Sequence, residues 1–108
     1  MRLLLDKGTD VNKADEDGQT PLLIACQKGH VDAVRLVLEK GAEVDQAEKK
    51  YGATPLFVAC GHGHVDAARL LLDKGADVTR TTRDGTPLSI AKYNGHSSIV
   101  ALLEEHQK

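Results

Sequence analysis

Thr20-Pro21-Leu22-Leu23-Ile24-Ala25-Cys26-Gln27-Lys28-Gly29-His30 decides how the chain is read, because its punctuation returns twice. Thr20-Pro21-Leu22 recurs as Thr54-Pro55-Leu56 and Thr86-Pro87-Leu88. Gly29-His30 recurs as Gly63-His64 and Gly95-His96, and Lys7-Gly8 as Lys40-Gly41 and Lys74-Gly75. The Thr-Pro spacings are 34 (20 to 54) and 32 (54 to 86), and the Lys-Gly spacings are 33 (7 to 40) and 34 (40 to 74). The period is therefore 33, with one residue added in one connector and one dropped in the next. From each Thr to the following Gly-His glycine is always 9 residues. From Gly8, Gly41 and Gly75 to the next Thr it is 12, 13 and 11. Length varies only in the connector, where an exposed turn tolerates it.

The pieces of one unit predict two short helices and a turn. Thr20 sits where its hydroxyl can cap a helix, and Pro21 falls at the first helical position, where its missing N–H costs nothing. Leu22, Ala25 and Cys26 follow at helical spacing, and Gly29 ends the segment because glycine takes positive φ without a Cβ penalty. A second helix starts near Val31-Asp32. Val31, Val34, Leu36, Val37 and Leu38 give it two apolar sides, as a helix packed between neighbours requires. Gly41 ends it, and residues 42–53 carry β-like character around Val44 and then a turn. Helices of about ten residues are marginal alone. Stacked copies bury a continuous aliphatic layer, and Ala25, Ala59 and Ala91 let neighbours approach closely.

Composition agrees with such a stack. The 108 residues are 41% apolar and 28% charged, with net charge -2, two Tyr, one Phe and no Trp. So few large rings suit thin repeated layers better than one central core. No apolar run approaches the roughly 20 residues of a membrane helix, and no signal peptide is visible in Met1 to Lys7. Near-zero charge leaves no footprint for nucleic acid. Two Cys do not make a disulfide scaffold, and the apolar fraction is too high for a disordered chain.

The pattern resembles the ankyrin repeat, carried by Asp17-Gly18-Gln19-Thr20-Pro21-Leu22, Ala25, Gly29-His30, Leu36-Val37-Leu38 and Lys40-Gly41-Ala42-Glu43-Val44-Asp45. The resemblance covers essentially the whole chain. One departure is consistent: the His of the family's Thr-Pro-Leu-His signature is replaced by Leu23, Phe57 and Ser89. The resemblance implies an all-α solenoid of stacked helix-turn-helix units with β-hairpin-like finger connectors. The expected division is a partial repeat over 1–14, repeats over 15–47 and 48–81, and a C-terminal capping repeat over 82–108.

The ends are expected to differ. Lys92 stands in the slot of Cys26 and Cys60, Glu104 in that of Leu38 and Leu72, and Ser97-Ser98 in that of Val31-Asp32, which makes the last unit's outer face polar. Arg2-Leu3-Leu4-Leu5-Asp6-Lys7-Gly8 instead matches Arg69-Leu70-Leu71-Leu72-Asp73-Lys74-Gly75, so the chain is expected to begin inside a second helix. Either it is a fragment of a longer array, or Leu3, Leu4, Val34 and Leu38 meet a second copy in a homo-oligomer.

Ankyrin arrays are non-catalytic protein-binding modules, so the resemblance implies a protein partner met by the finger tips and the concave inner-helix side. In the first finger this points to Lys13, Glu16, Asp17 and Gln19. In the second it points to Gln46, Lys49, Lys50 and Tyr51, and in the third to Arg80, Thr82, Arg83 and Asp84. On the inner helices it points to Gln27, Lys28, His62, Tyr93 and Asn94. The units differ most from one another in these slots, although a varied solvated residue often contacts nothing. Tyr51 and Tyr93 are the aromatic anchors, and finger charge changes along the stack, from one Lys against four acids over residues 10–17 to two Arg against two acids over residues 77–84, which favours one docking direction. A purely structural spacer is the alternative.

Other chemistry is weaker. His30, His64 and His96 recur once per unit, which points to ring nitrogens tying adjacent connectors together rather than to a ligand ladder. Cys60-Gly61-His62-Gly63-His64 holds three metal-ligating side chains, but its spacing does not converge them and further ligands are lacking. No metal or other cofactor is expected. Cys26 and Cys60 share a slot in successive units, about 10 Å apart and beyond disulfide reach, as small core residues of a reduced, intracellular protein, cytoplasmic or nuclear. Asp15 with Asp17 and Glu104 with Glu105 read as a turn and a helix end, and no nucleophile, base and orienter are arranged for catalysis, so an enzyme is not expected. Leu4 with Asp10-Val11-Asn12 is similar to the site of the ankyrin-directed asparaginyl hydroxylase, with Asn12 as acceptor. An Asn also suits a turn on its own account.

Overall fold

The computed structural model describes residues 11–106, which form six helices in three pairs: α1 (Pro21–Lys28) with α2 (Val31–Glu39), α3 (Pro55–His62) with α4 (Val65–Asp73), and α5 (Pro87–Tyr93) with α6 (Ser97–His106). The expected partial repeat, with Leu3 and Leu4, lies almost wholly outside the described residues. The first helix of each pair stacks on its counterparts as an inner row, and the second helices form an outer row packed less closely.

Each inner helix starts and stops for the reasons its sequence suggests. The Thr20, Thr54 and Thr86 hydroxyls accept from the Leu23, Phe57 and Ser89 N–H groups at 3.2, 3.2 and 3.1 Å. In the last unit the Ser89 hydroxyl also accepts from the Thr86 N–H at 2.9 Å, closing a reciprocal capping box. Ser89 stands where the signature that the sequence resembles has histidine, and in this unit it supplies the reciprocal bond. At the other end of α1, Gly29 takes φ 70° and the His30 N–H returns to the Ala25 carbonyl at 3.1 Å.

The core is a repeated aliphatic layer. Val37, Leu71 and Leu103 share one outer-helix slot, Ala25, Ala59 and Ala91 one inner-helix slot, and all six are fully buried. Alanine at the inner slot brings successive helices close, so each unit buries its apolar face only against its neighbours.

The connectors carry no strand among the described residues; Thr82 and Gly85 form an isolated antiparallel bridge. Successive connectors are joined by side chains instead. Asn12 Oδ1 accepts from the Glu43 N–H at 2.7 Å, and one unit later Asp45 Oδ1 accepts from the Asp77 N–H at 3.0 Å.

The Gly-His motif joins units differently from the expected connector-to-connector tie. His64 Nε2 lies 3.0 Å from the Gln27 carbonyl, and His96 Nε2 lies 3.2 Å from that of Gly61. A carbonyl only accepts, so the proton is on Nε2. The imidazole therefore ties to the end of the preceding inner helix, whose last carbonyls lack helical partners. It also rests on the preceding glycine: a Cβ at Gly29 would lie 2.5 Å from His64 Nδ1, and one at Gly63 2.9 Å from His96 Cε1. Glycine is needed in this slot both for its positive φ and for the ring that the next unit lays on it.

Candidate functional site

The finger tips are shaped by one acceptor side chain per unit, and its length follows the size of the turn. In the shortest finger, the Thr82 N–H donates to the Gly85 carbonyl at 2.8 Å, and the Thr82 hydroxyl accepts from the Asp84 N–H at 3.0 Å. The first finger is one residue longer. There the Asp15 N–H donates to the Gln19 carbonyl at 2.9 Å, and Asp15 Oδ1 accepts from the Asp17 and Gln19 N–H groups, both at 2.9 Å. The second finger is longer again, closing from the Glu48 N–H to the Ala53 carbonyl at 3.0 Å. Its acceptor is a glutamate, whose carboxylate takes N–H groups from Lys50, Tyr51 and Ala53 at 2.8, 2.7 and 3.1 Å. Threonine, aspartate and glutamate reach successively further across the turn.

Glu48 is 5% exposed. Burial alone raises a carboxyl's pKa. Here the backbone donors of Ala53, Tyr51, Lys50 and Gly52 outweigh it and hold Glu48 below the ordinary glutamate value. Sequence reasoning missed this residue; the signal lay in the changing connector lengths beside Asp15, Glu48 and Thr82.

Glu48 fixes the backbone that presents Tyr51, which is 44% exposed. Two cations flank this ring, Lys50 Nζ at 5.2 Å and Arg83 Cζ at 5.7 Å from its centroid. The Arg83 N–H also donates to the Tyr51 carbonyl at 3.0 Å, so the second and third fingers are held together at this point.

Two hollows flank Tyr51. One, of about 620 Å³, lies between the first two fingers and is lined by Glu16, Asp17, Gln19, Gln27, Lys49, Lys50 and Tyr51 among others. It brings together seven of the residues that the sequence singled out, with acidic side chains from one finger and basic ones from the next. The other, of about 370 Å³, lies between α3 and α5, with Phe57, Val58 and Ile90 exposing apolar surface beside Tyr51, His62, Asp84 and Asn94. Its apolar lining is absent from the sequence-based set. The signal was the slot shared by Gln27, Gly61 and Tyr93, which is empty only in the middle unit.

The remaining candidates divide. Lys13, Lys28 and Arg80 are exposed, and Tyr93 stands out at 86% exposed. Gln46 Nε2 donates to the Asn12 carbonyl at 3.1 Å, and Asn94 Nδ2 to the Gly61 carbonyl at 2.9 Å, so both amides join units. The Asn12 side chain is engaged with the next connector through Glu43. His62 Nδ1 lies 2.9 Å from the Val58 carbonyl, and its ring stacks nearly parallel to that of His64, centroids 6.0 Å apart. Val34 lies in the core with no exposed surface, because α2 turns it toward its neighbours, and Leu38 is half-buried. Cys26 and Cys60 are buried and unbridged, and burial pushes both thiols up to about 12. Lys92 and Glu104, singled out separately in the sequence, meet at 4.0 Å across α5 and α6.

No helix among the described residues is long and apolar enough to cross a membrane. Residues 1–82 match the family model described as ankyrin repeats, three copies. The mouse protein fem-1 homolog A-like is 42% identical over 101 residues, which are 91% of this chain and 15% of that protein. Human ankyrin repeat domain-containing protein 63 is 44% identical over 48 residues, 44% of this chain and 13% of that protein. Cortactin-binding protein 2 of Equus caballus is 47% identical over 47 residues, 44% of this chain and 3% of that protein. The chain thus spans a small part of the length of these relatives. With the Thr-Pro caps, the Gly-His ties and the paired helices, the match over residues 1–82 means that the chain belongs to the ankyrin repeat family.

Proposed function

We propose that the chain is a non-catalytic protein-interaction module that binds a protein partner through its finger tips and the exposed side of its inner helices. Residues that differ between units collect around Tyr51, and this gathering carries the proposal. Acidic Glu16 and Asp17 face basic Lys49 and Lys50 across one hollow. Opposed charges of this kind set orientation and suppress wrong partners more than they add affinity. Tyr93, exposed at the far end of the same side, supplies the large rigid contact that interfaces favour. A protein ligand is also in keeping with a relative named for binding cortactin. We set the units that carry the face at 15–47, 48–81 and 82–108. The buried, unbridged thiols support a place inside the cell.

The test is the affinity of a partner captured on the immobilised chain and then purified. Lys49→Ala and Tyr93→Ala each weaken binding about fivefold or more, while surface truncation leaves stability within about 0.5 kcal/mol. Unchanged affinity in both variants removes the proposed face.

A further inference from the structure

Gln27, Gly61 and Tyr93 occupy one slot, seven residues after Thr20, Thr54 and Thr86. Two of the three carry long side chains. Glycine in the third is not demanded by the backbone, since Gly61 is absent from the positive-φ positions and lies within α3. It is not demanded by crowding either, since a Cβ there would meet only Ile90 Cγ1, at 3.5 Å, an ordinary contact. A helix favours alanine over glycine at such a position. The missing side chain opens the hollow between α3 and α5, which Gly61 itself lines.

The chemistry of that hollow is one-sided. The Gly61 carbonyl is already taken by Asn94 Nδ2 at 2.9 Å and His96 Nε2 at 3.2 Å, so its two lone pairs are used. What remains at the floor is Phe57, Val58 and Ile90. Tyr51 is on the lining, and Lys50 and Arg83, which lie outside it, bring positive charge to within 5.2 and 5.7 Å of its ring; the ion pairs among the described residues, Arg35 with Asp32 and Lys92 with Glu104, involve neither. The nearby Glu48 carboxylate is occupied by backbone donors, and the single Asp84 on the lining suits a main-chain N–H of a ligand.

We propose that the hollow at Gly61 is the anchor of the binding face and takes an extended peptide segment of the partner protein, with one apolar side chain beside an acidic residue. The apolar group fills the space that Gly61 leaves, and the carboxylate lies beside Tyr51, where Lys50 and Arg83 bring positive charge to the ring. This rests on the protein-binding function proposed above and adds the chemistry of the ligand.

The experiment pans a random phage-displayed peptide library over the immobilised full chain, then measures synthetic copies of the enriched peptides by fluorescence anisotropy. Enriched peptides carry an apolar residue next to Asp or Glu. Gly61→Gln, which installs the side chain of the preceding unit, weakens them about tenfold or more. Gly61→Ala raises the melting temperature by about 4–8 °C while also weakening binding, so stability and affinity move in opposite directions. The pair Lys50→Glu and Arg83→Glu turns the selected charge from acidic to basic. Enriched peptides without the apolar-acidic pair, peptides that bind Gly61→Gln as well as the parent, or no enrichment at all overturn the proposal. If the captured partner still loses affinity in Lys49→Ala and Tyr93→Ala, the wider face stands and only the anchor falls.

Discussion

Replacing Gly29 by alanine isolates the contact that holds one unit to the next. Gly29, Gly63 and Gly95 share a slot and a conformation, with φ of 70°, 78° and 74°. Alanine in the left-handed region costs about 1–2 kcal/mol wherever it is placed. At Gly95 that is the whole cost, because nothing lies within 4 Å of the added Cβ. At Gly29 the Cβ would lie 2.5 Å from His64 Nδ1, so the imidazole must leave. Its hydrogen bond to the Gln27 carbonyl goes with it. That bond is worth about 1 kcal/mol net, and the lost packing adds a similar amount. Gly29→Ala is therefore expected to cost about 3–4 kcal/mol, or about 2 kcal/mol more than Gly95→Ala. Urea unfolding followed by circular dichroism measures both, provided the slope with denaturant stays constant. A double-mutant cycle sharpens the comparison: in a His64→Ala background the excess at Gly29 disappears, giving a coupling of about 2 kcal/mol. Equal costs at Gly29 and Gly95, or an additive cycle, would refute the glycine-imidazole tie.

Other expectations follow from single side chains. Glu48→Gln should destabilise by about 1–3 kcal/mol at neutral pH, since its buried carboxylate serves three backbone donors. Because folding lowers its pKa, the contribution is present above the ordinary value of 4.5 and is lost as pH falls through the folded value. Melting temperatures of parent and variant should therefore converge in acid; a gap that persists there contradicts the role. Lys92→Leu breaks an ion pair whose side chains are 58% and 56% exposed, so its effect on stability stays within about 0.5 kcal/mol. Sedimentation should instead show increased self-association, as an apolar side chain appears on the outer face of the last unit. Cys26 and Cys60, with thiols pushed up to about 12, should resist alkylation at pH about 8 until the chain unfolds. Rapid labelling of the native protein would show that the inner helices open.

The sequence reveals whatever is repeated and hides whatever depends on two units at once. Thr20, Thr54 and Thr86 are readable as caps because the chemistry is local and Pro follows each of them. Gly29-His30 is readable as a repeated pair, but His64 and His96 each rest on the Gly of the preceding unit, a contact no spacing reveals. Asn94 illustrates the same limit from the other side. Its variable slot suggests a free binding residue, whereas its amide spans back to Gly61. Glu48 escapes notice because a carboxylate in a connector usually faces water, and only the longer turn closing over it makes it an internal acceptor. Around the proposed binding face, the fingers that converge on Tyr51 are legible from their variability. The apolar hollow is not, because it arises from a side chain that Gly61 lacks.

The most direct test of the account compares the two sides of the stack. A photo-crosslinking amino acid is placed at Lys49 or Tyr93 on the finger and inner-helix side, and at Arg35 or Arg69 on the exposed outer helices. The variants are then irradiated with the purified partner. The account predicts covalent adducts from Lys49 and Tyr93 and none above background from Arg35 and Arg69. Adducts of equal yield from both sides, or from the outer helices alone, would contradict it.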